Sequence, residues 1–592
     1  MIPIPSPAFR GSRNAETIRQ GSEKSCVDTY LRVGTCNTAV EYPLEATRSN
    51  FRRVSILSDI SIDDVNATVL HLESLPIVDS FVRRLGIRTH IDSLCPSRSN
   101  AKATHGQIVE CLIANKLSAP RPLYDIQYWA ETLAVPEVFG VTPADLNDDR
   151  IGRALDAIAP HIQVLQGNIV ASAISAFSLD VSTIHWDLTS LVFAGEYPEE
   201  EQESDYPSIT YGYSSRNFKQ VRLGHGVTPD GAVPIWQKVH DGNENDVATV
   251  VKTMRALIKH ARLTDFLMVG DSKLLSNANI LAFIRSDLKF LAPAASSKAL
   301  DAEFLSIPKD QFQQLDYLSE RQEKLPPDQR NSYLGCQRLS SIIDPQIGKS
   351  YTLRRLFVIS SEERAARRKN RSRQMQRAAA ELEKLTRTAG SRYYPTPDKV
   401  LAKASQILKE KRVSLWFITD VKEQHGELSF SYSVNEEALA NTEALDGFYV
   451  LLTNLSPDEA DSSQLLLRYK GQNHAERRFK ESKHVLSVRP LFLTSNRRIE
   501  ALVFVIGLAL MVFSLIEREA RRNLPNPKDK IPGLLAGHVP ARPTGQNILR
   551  AFYHFHAVVV SYHGQKALRI PHVTTVQATL LRLLGVPEIR YG

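Results

Sequence analysis

The chain is 592 residues long, which exceeds one compact core and points to about three or four domains. Its 43% hydrophobic and 23% charged residues are those of an ordinary soluble globular protein, and 73 Lys plus Arg against 65 Asp plus Glu give a net charge of +8, which permits a polyanionic partner without proving one. Cys26, Cys36, Cys95, Cys111 and Cys336 form no C-x-x-C pair, so neither a zinc site nor a disulfide framework is indicated and a reducing cytoplasm fits.

Residues 1–55 are rich in Ser, Arg, Thr and Asn and are expected to be loosely ordered. No basic-then-apolar leader pattern opens the chain. Residues 56–170 read as an all-helical N-terminal domain. LESLPIVDSFVRRLGI, HGQIVECLIANKL and DDRIGRALDAIAPHI carry apolar residues at three- and four-residue spacing, broken by Pro, Gly, Asp and Asn.

From residue 171 to 299 the texture is strand, strand, strand, helix, strand, helix, strand. FSLDVSTIHWDLTSLVF, RNFKQVRLGHGV and AVPIWQKVH alternate, and Asp230-Gly231 marks a hairpin turn between the last two. VATVVKTMRALIKHARL, FLMVGD, LLSNANILAFIRSD and KFLAPA complete the order expected for the first part of a ribonuclease-H-like α/β core. Residues 300–455 interrupt that core with a mixed β/helical insertion: YTLRRLFVI, RVSLWFITD, ELSFSYSV and GFYVLLT read as strands around a basic helix. Residues 456–520 return to core helices. The apolar run Ala501–Ile516 falls short of the ~18–20 residues that span a bilayer and reads as a buried helix, so no membrane partner is expected. Residues 521–592 read as a helical C-terminal tail, through ILRAFYHFHAVVVSYH and TTVQATLLRLLG.

Three acids stand out. Asp187 lies inside the strand HWDLTS, and Asp271 ends FLMVGD, where a carboxylate points into the crevice at which α/β sheets bind ligands. Either acid reads equally as a strand-end residue that caps the next helix. The third is on a helix. At about 100° per residue, Tyr469, Gln472, Glu476, Lys480 and Lys483 fall within a stripe of roughly 80°. That helix considered alone reads also as a solvated face with a Glu–Lys pair. Two strand acids and a helix acid together suit two Mg²⁺ or Mn²⁺ ions, which clamp the attacking and leaving oxygens of an in-line phosphoryl transfer. Lys483 would offer a charge to a phosphate oxygen and Tyr469 a hydrogen bond.

Tyr469, Gln472, Glu476 and Lys483 resemble, except at Gln472, the Y-x2-R-x3-E-x6-K pattern of the insertion-sequence-four superfamily of DDE transposases. HWDLTSLVFAGEY, YGYSSRNFKQVRLG, VHDGNEND, VGDSKLLSNANI, DGFYVLLTN and ERRFKESKHVLSVRPLF are similar to the blocks of its branch numbered 1634. The resemblance runs from about Asp59 to the C-terminus. It implies a ribonuclease-H-like core, with Asp187, Asp271 and Glu476 as metal-holding catalytic residues aided by Lys483 and Tyr469. It also implies metal-dependent cleavage and strand transfer at element ends. The expected partners are the terminal inverted repeats and target DNA, bound by a homodimer on paired ends in a bacterial cytoplasm, at the nucleoid. A neutral amide at Gln472 replaces a cationic fork; it can hydrogen-bond a phosphate but carries no charge.

Further DNA contacts are expected from Gln472, Arg477 and Lys480, and from a run without an acid among its cations: Arg364, Arg367, Arg368, Lys369, Arg371, Arg373 and Arg377. Trp416 reads as core, or as an aromatic wedge. The N-terminal helices are a candidate for reading the terminal repeats; there Arg83, Arg84, Arg150 and Arg153 read first as surface charge and second as phosphate contacts, His105 as a helix-start residue and His185 as a packing residue near the site.

Overall fold

The computed structural model describes residues 65–193, 195–212, 218–424, 427–473, 476, 478, 493–562, 565–569 and 573–586. The segment expected to be loose, 1–55, and the candidates Arg477, Lys480 and Lys483 lie outside the described residues.

The chain enters through β1 (Val65–His71), then α1 (Leu75–Arg84), α2 (Ile87–Leu94), α3 (His105–Leu117), α4 (Ile126–Thr132), α5 (Val135–Phe139), α6 (Asp148–Ile158) and α7 (Ile162–Phe177). Local chemistry sets the boundaries. Gly86, at φ +64°, turns the chain between α1 and α2, where a side chain would strain the backbone. Thr104 and Gln107 form a capping box that starts α3, and the Asn147 side chain accepts from Arg150 N to start α6. Two expectations need correcting. The N-terminal region is not all helical, because β1 precedes the helices, and α7 runs on to Phe177, past the boundary expected at 170.

A ten-stranded mixed sheet organises the rest. Its first part comprises β2 (Thr183–Phe193), β3 (Thr210–Tyr211), β4 (Lys219–Val227), β5 (Pro234–His240), α8 (Asp246–His260), β6 (Leu267–Val269), α9 (Asn277–Arg285) and β7 (Lys289–Pro293). β2 pairs antiparallel with β4, and β4 antiparallel with β5 across a turn in which Gly231 has φ +84°, as the Asp-Gly pair predicts. On its other edge β2 pairs parallel with β6, and β6 parallel with β7, with α8 and α9 as the crossovers. The order β5-β4-β2-β6-β7 is consistent with a ribonuclease-H-like core. Trp186 on β2 explains why its partner strand reads LGHG: a Cβ on Gly224 would stand 2.2 Å from the indole.

The interruption is built differently from the expectation. After α10 (Lys298–Ser306) and β8 (Gln313–Gln314), β9 (Tyr333–Ile343) and β10 (Ser350–Ser360) form a long hairpin. α11 (Ser361–Thr388), α12 (Pro397–Lys411), β11 (Phe417–Gln424), β12 (Glu427–Val434) and α13 (Glu436–Ala444) follow, and β13 (Phe448–Thr453) then returns to pair with both β10 and β7. Most strands of the insertion therefore extend the main sheet. Only α11, α12 and the β11–β12 hairpin close a core of their own, around Leu382, Ile407, Phe417 and Phe430.

α14 (Ser462–Lys470) begins at an Asp461–Gln464 capping box, and residues 472, 473, 476 and 478 are helical beyond it. α15 (Asn496–Arg522) is buried along nearly its whole length between the sheet and the N-terminal helices. It is long and apolar enough to cross a membrane, yet it packs as the expected core helix. Gln237 of β5 donates to its Phe504 carbonyl at 2.8 Å, and Gly507 leaves room for that amide. The tail is not purely helical: β14 (Ile531–Leu535), β15 (Val539–Ala541), α16 (Gly545–Arg550), β16 (His556–Tyr562), β17 (Gln565–Arg569) and α17 (Thr575–Leu584) follow. β16 pairs antiparallel with β1, so the two ends of the described chain close one small sheet. The β-branched run Val558, Val559, Val560 favours a strand there over a helix.

Candidate active site

Two neighbouring parallel strands bring the first two acids together. β2 and β6 pair in the register Thr183–Leu267, Ile184–Met268, His185–Val269. Two residues beyond the last of these pairs, the two chains carry Asp187 and Asp271. β6 stops at Val269, and at Gly270 a Cβ would stand 3.2 Å from the Leu274 side chain. Asp271 then caps the turn Ser272–Leu274, its Oδ1 accepting from Lys273 N at 3.0 Å. Capping and proximity to Asp187 thus coexist in one residue.

The third acid comes from the helix beyond α14, which lies against the end of β2. Gln472 is buried, and its Nε2 donates to the Trp186 carbonyl at 2.8 Å, immediately before Asp187. Gly471 allows this approach, since a Cβ there would stand 2.7 Å from Cε1 of His185. His185 is accordingly a packing residue under the helix. Glu476, one turn beyond Gln472, is exposed on the same stripe.

The Asp187 carboxyl feels both of the other acids. Burial pushes the Asp187 carboxyl up to about 6; the charges of Asp271 and Glu476 push the same way, while the Leu188 N–H, donating at 2.8 Å, and Lys273 pull it down. The Tyr469 phenol is raised by burial and then by Glu363, Glu476 and Asp271, which places it beside the same acids. Among the described residues no three of His, Cys, Asp and Glu stand close enough together to enclose a metal ion. The donor set itself fits a hard divalent cation: three carboxylates, one of them retaining its proton to about 6. A bound cation would hold all three ionised.

Arg478 was not singled out by its sequence, where it sits in the charged run AERRFK. It is fully buried. Its Nη2 donates to Gly231 O at 2.7 Å and to Glu517 Oε1 at 3.2 Å, and its Nε to Ala232 O at 3.2 Å. The helix bearing Glu476 is thereby tied to the β4–β5 turn and to α15. Arg518 of α15 grips the same turn, its Nε donating to Asp230 Oδ2 at 2.8 Å.

The other expected DNA contacts divide. Arg367, Arg368, Lys369, Arg373 and Arg377 are exposed on α11. Arg371 is not: it is 5% exposed and pairs with Asp446 at 2.5 Å and Glu443 at 3.1 Å, so its charge is spent inside the protein. Arg364 donates to the Asp446 carbonyl at 3.2 Å, and Arg368 lies 3.8 Å from the Asp446 carboxylate. A 28-residue helix needs an anchoring face, and these arginines supply it. Gln472 likewise points inward rather than towards a phosphate. Trp416 is half-buried, its Nε1 donating to Thr442 at 3.0 Å beneath the Arg371 guanidinium.

Comparison with known proteins adds two family matches. The model of a domain of unknown function (DUF4277) matches residues 67–165, and that described as "Transposase DDE domain" matches residues 172–512. No curated protein matches the chain. Among solved structures, one described as a cryo-EM structure of the piggyBac transposase synaptic complex with hairpin DNA is 10% identical, over 81% of this chain and 78% of that one, with a TM-score of 0.33. A Mos1 transposase paired-end complex with the left transposon end is 10% identical, over 33% of this chain and 60% of that one, with a TM-score of 0.14. Scores this low carry no argument about this chain.

Proposed function

The chain belongs to the transposase DDE domain family, and from that premise we propose that it cuts and rejoins DNA at the ends of a mobile element, with Asp187, Asp271 and Glu476 as its metal-holding residues. What supports the reading is that Asp187 lies on β2, Asp271 lies two residues past the parallel strand β6, and Glu476 lies on a helix whose Gln472 bonds the Trp186 carbonyl, with the charges of Asp271 and Glu476 both acting on Asp187. Mg²⁺ or Mn²⁺, two ions of which these acids would hold, supplies Lewis acidity to the attacking and leaving oxygens of the phosphodiester.

The chain's own groups do the rest. The Leu188 N–H and the Lys273 N–H orient one oxygen each of Asp187 and Asp271. Burial of Asp187 keeps water from screening its charge. Lys273 adds positive charge beside Asp187, and Tyr469, whose phenol feels Glu476 and Asp271, would donate to a phosphate oxygen. Lys483 would add a second charge at the scissile phosphate. The reaction proposed is hydrolysis of one strand at each end, after which the freed 3′-hydroxyl attacks the opposite strand or target DNA. Two copies of the chain would hold the paired ends.

The test is nicking of a plasmid that carries the DNA flanking the gene, with Mg²⁺ or Mn²⁺ present. Wild type should cut at the ends, and Glu476→Gln should reduce cutting by roughly 10³-fold or more while retaining end binding. Tight end binding without cutting by the wild type would replace this reading with that of a DNA-binding protein derived from a transposase.

A further inference from the structure

The N-terminal helices carry a second concentration of charge that the carboxylate site does not use. A pocket of about 410 Å³ opens between the loop before α3 and the first turns of α6, lined by Arg98, Lys102, His105, Arg150 and Arg153 with Asp145 as its one acid. Arg98, Lys102 and Arg153 are exposed and have no ion-pair partner among the described residues. Arg150 is half-buried and builds the wall: its Nη2 donates to the Ala103 carbonyl at 2.7 Å and its Nη1 lies 3.2 Å from Nδ1 of His105. The His105 imidazole is held below its ordinary range by burial and then by Arg150, so it adds a neutral donor or acceptor rather than a further charge.

Helix ends do not make this site. The α3 start is already occupied, with His105 N donating to Ser97 and Gly106 N to Asp92, and Asn147 caps α6. What remains is four side-chain cations around one concave surface. Their mutual repulsion is unfavourable unless an anion neutralises it. Apart from His105 the lining offers no ring on which a base could stack, which favours a backbone phosphate over a free nucleotide.

We propose that this pocket binds a backbone phosphate of duplex DNA, without reading its sequence; the proposal rests on the transposase reading. The pocket is rigidly coupled to the acids. Arg498 of α15 donates from Nε and Nη2 to both oxygens of Asp156 on α6, at 3.0 and 2.8 Å, and its guanidinium fills the space beside Gly152. α15 in turn packs on β5 of the main sheet. α6 is thus tied through α15 to the sheet that bears Asp187.

The test uses the full chain with Arg98, Lys102 and Arg153 each replaced by Gln, leaving the structural Arg150 in place. Affinity for duplex end DNA should fall by about tenfold or more at moderate salt, and the slope of log affinity against log salt should become shallower by about two to three. The melting temperature should not fall, since the replacements relieve repulsion among the cations. Unchanged affinity and slope, with the wild type still nicking its ends, would overturn the proposal and leave the transposase reading standing. Tight binding of inorganic pyrophosphate that the triple variant loses, with DNA affinity unaltered, would also overturn it and make the pocket a free-anion site. A wild type that neither binds nor nicks end DNA would remove the reading beneath it.

Discussion

Replacing Asp187 with Asn is expected to stop strand cleavage and, in the same protein, to stabilise the metal-free fold by about 1–3 kcal/mol near pH 7.5. The Asp187 carboxyl holds its proton to about 6 in the folded chain against 3.8 ordinarily, burial being the main cause. The folded state therefore binds that proton more tightly than the unfolded state. Its contribution to stability is complete below about pH 4 and is lost as pH rises through about 6. Above that range a charge is kept in a place that disfavours it. Asn does not titrate, so wild type and variant should converge in stability in acid and separate above pH 6. Urea unfolding in the presence of a chelator reads the difference, and added Mn²⁺ should shrink it by stabilising the wild type alone. A variant less stable than wild type at about pH 7.5 would contradict this account of the carboxylate.

Arg478→Ala carries the second large effect, a loss of about 3–5 kcal/mol in stability together with loss of cleavage. Arg478 and Glu517 are both buried, and removing the cation orphans the Gly231 and Ala232 carbonyls as well. Arg521 also reaches Glu517, at 2.6 Å, which keeps the cost near the lower end of that range. Arg478→Met should recover part of that stability, because its side chain fills the space while Arg521 still pairs Glu517. Cleavage should not recover fully, since the tie between the Glu476 helix and the β4–β5 turn is still missing. Equal stability of Arg478→Ala and wild type in urea would show that the buried network is dispensable.

Asp187 and Asp271 stand out in the sequence because one lies inside an apolar strand and the other ends one, and strand ends are where a parallel sheet exposes side chains to a crevice. Tyr469, Gln472 and Glu476 were legible as a stripe because helix geometry is local. The inward turn of Gln472 was not legible, because it depends on the Trp186 carbonyl of a strand far away in the chain. Arg371 and Arg478 were hidden by their neighbours: a cation in a charged run looks like its exposed companions until the helix face is known. The same limit applied to strands. β13 joins β7 and β16 joins β1 across long stretches of chain, and nothing in a local alternation names the partner. The Val558–Val560 run did carry a strand signal, which the helical pattern upstream of it obscured.

The most direct test of the central claim, that Asp187, Asp271 and Glu476 form one divalent-metal site, is a Mn²⁺ titration of the full chain on end DNA followed by electron paramagnetic resonance. The account predicts saturable binding by wild type and binding weaker by about tenfold or more in Asp271→Asn, with affinity rising as pH climbs because metal displaces the carboxyl protons. Identical Mn²⁺ binding by wild type and Asp271→Asn would contradict it.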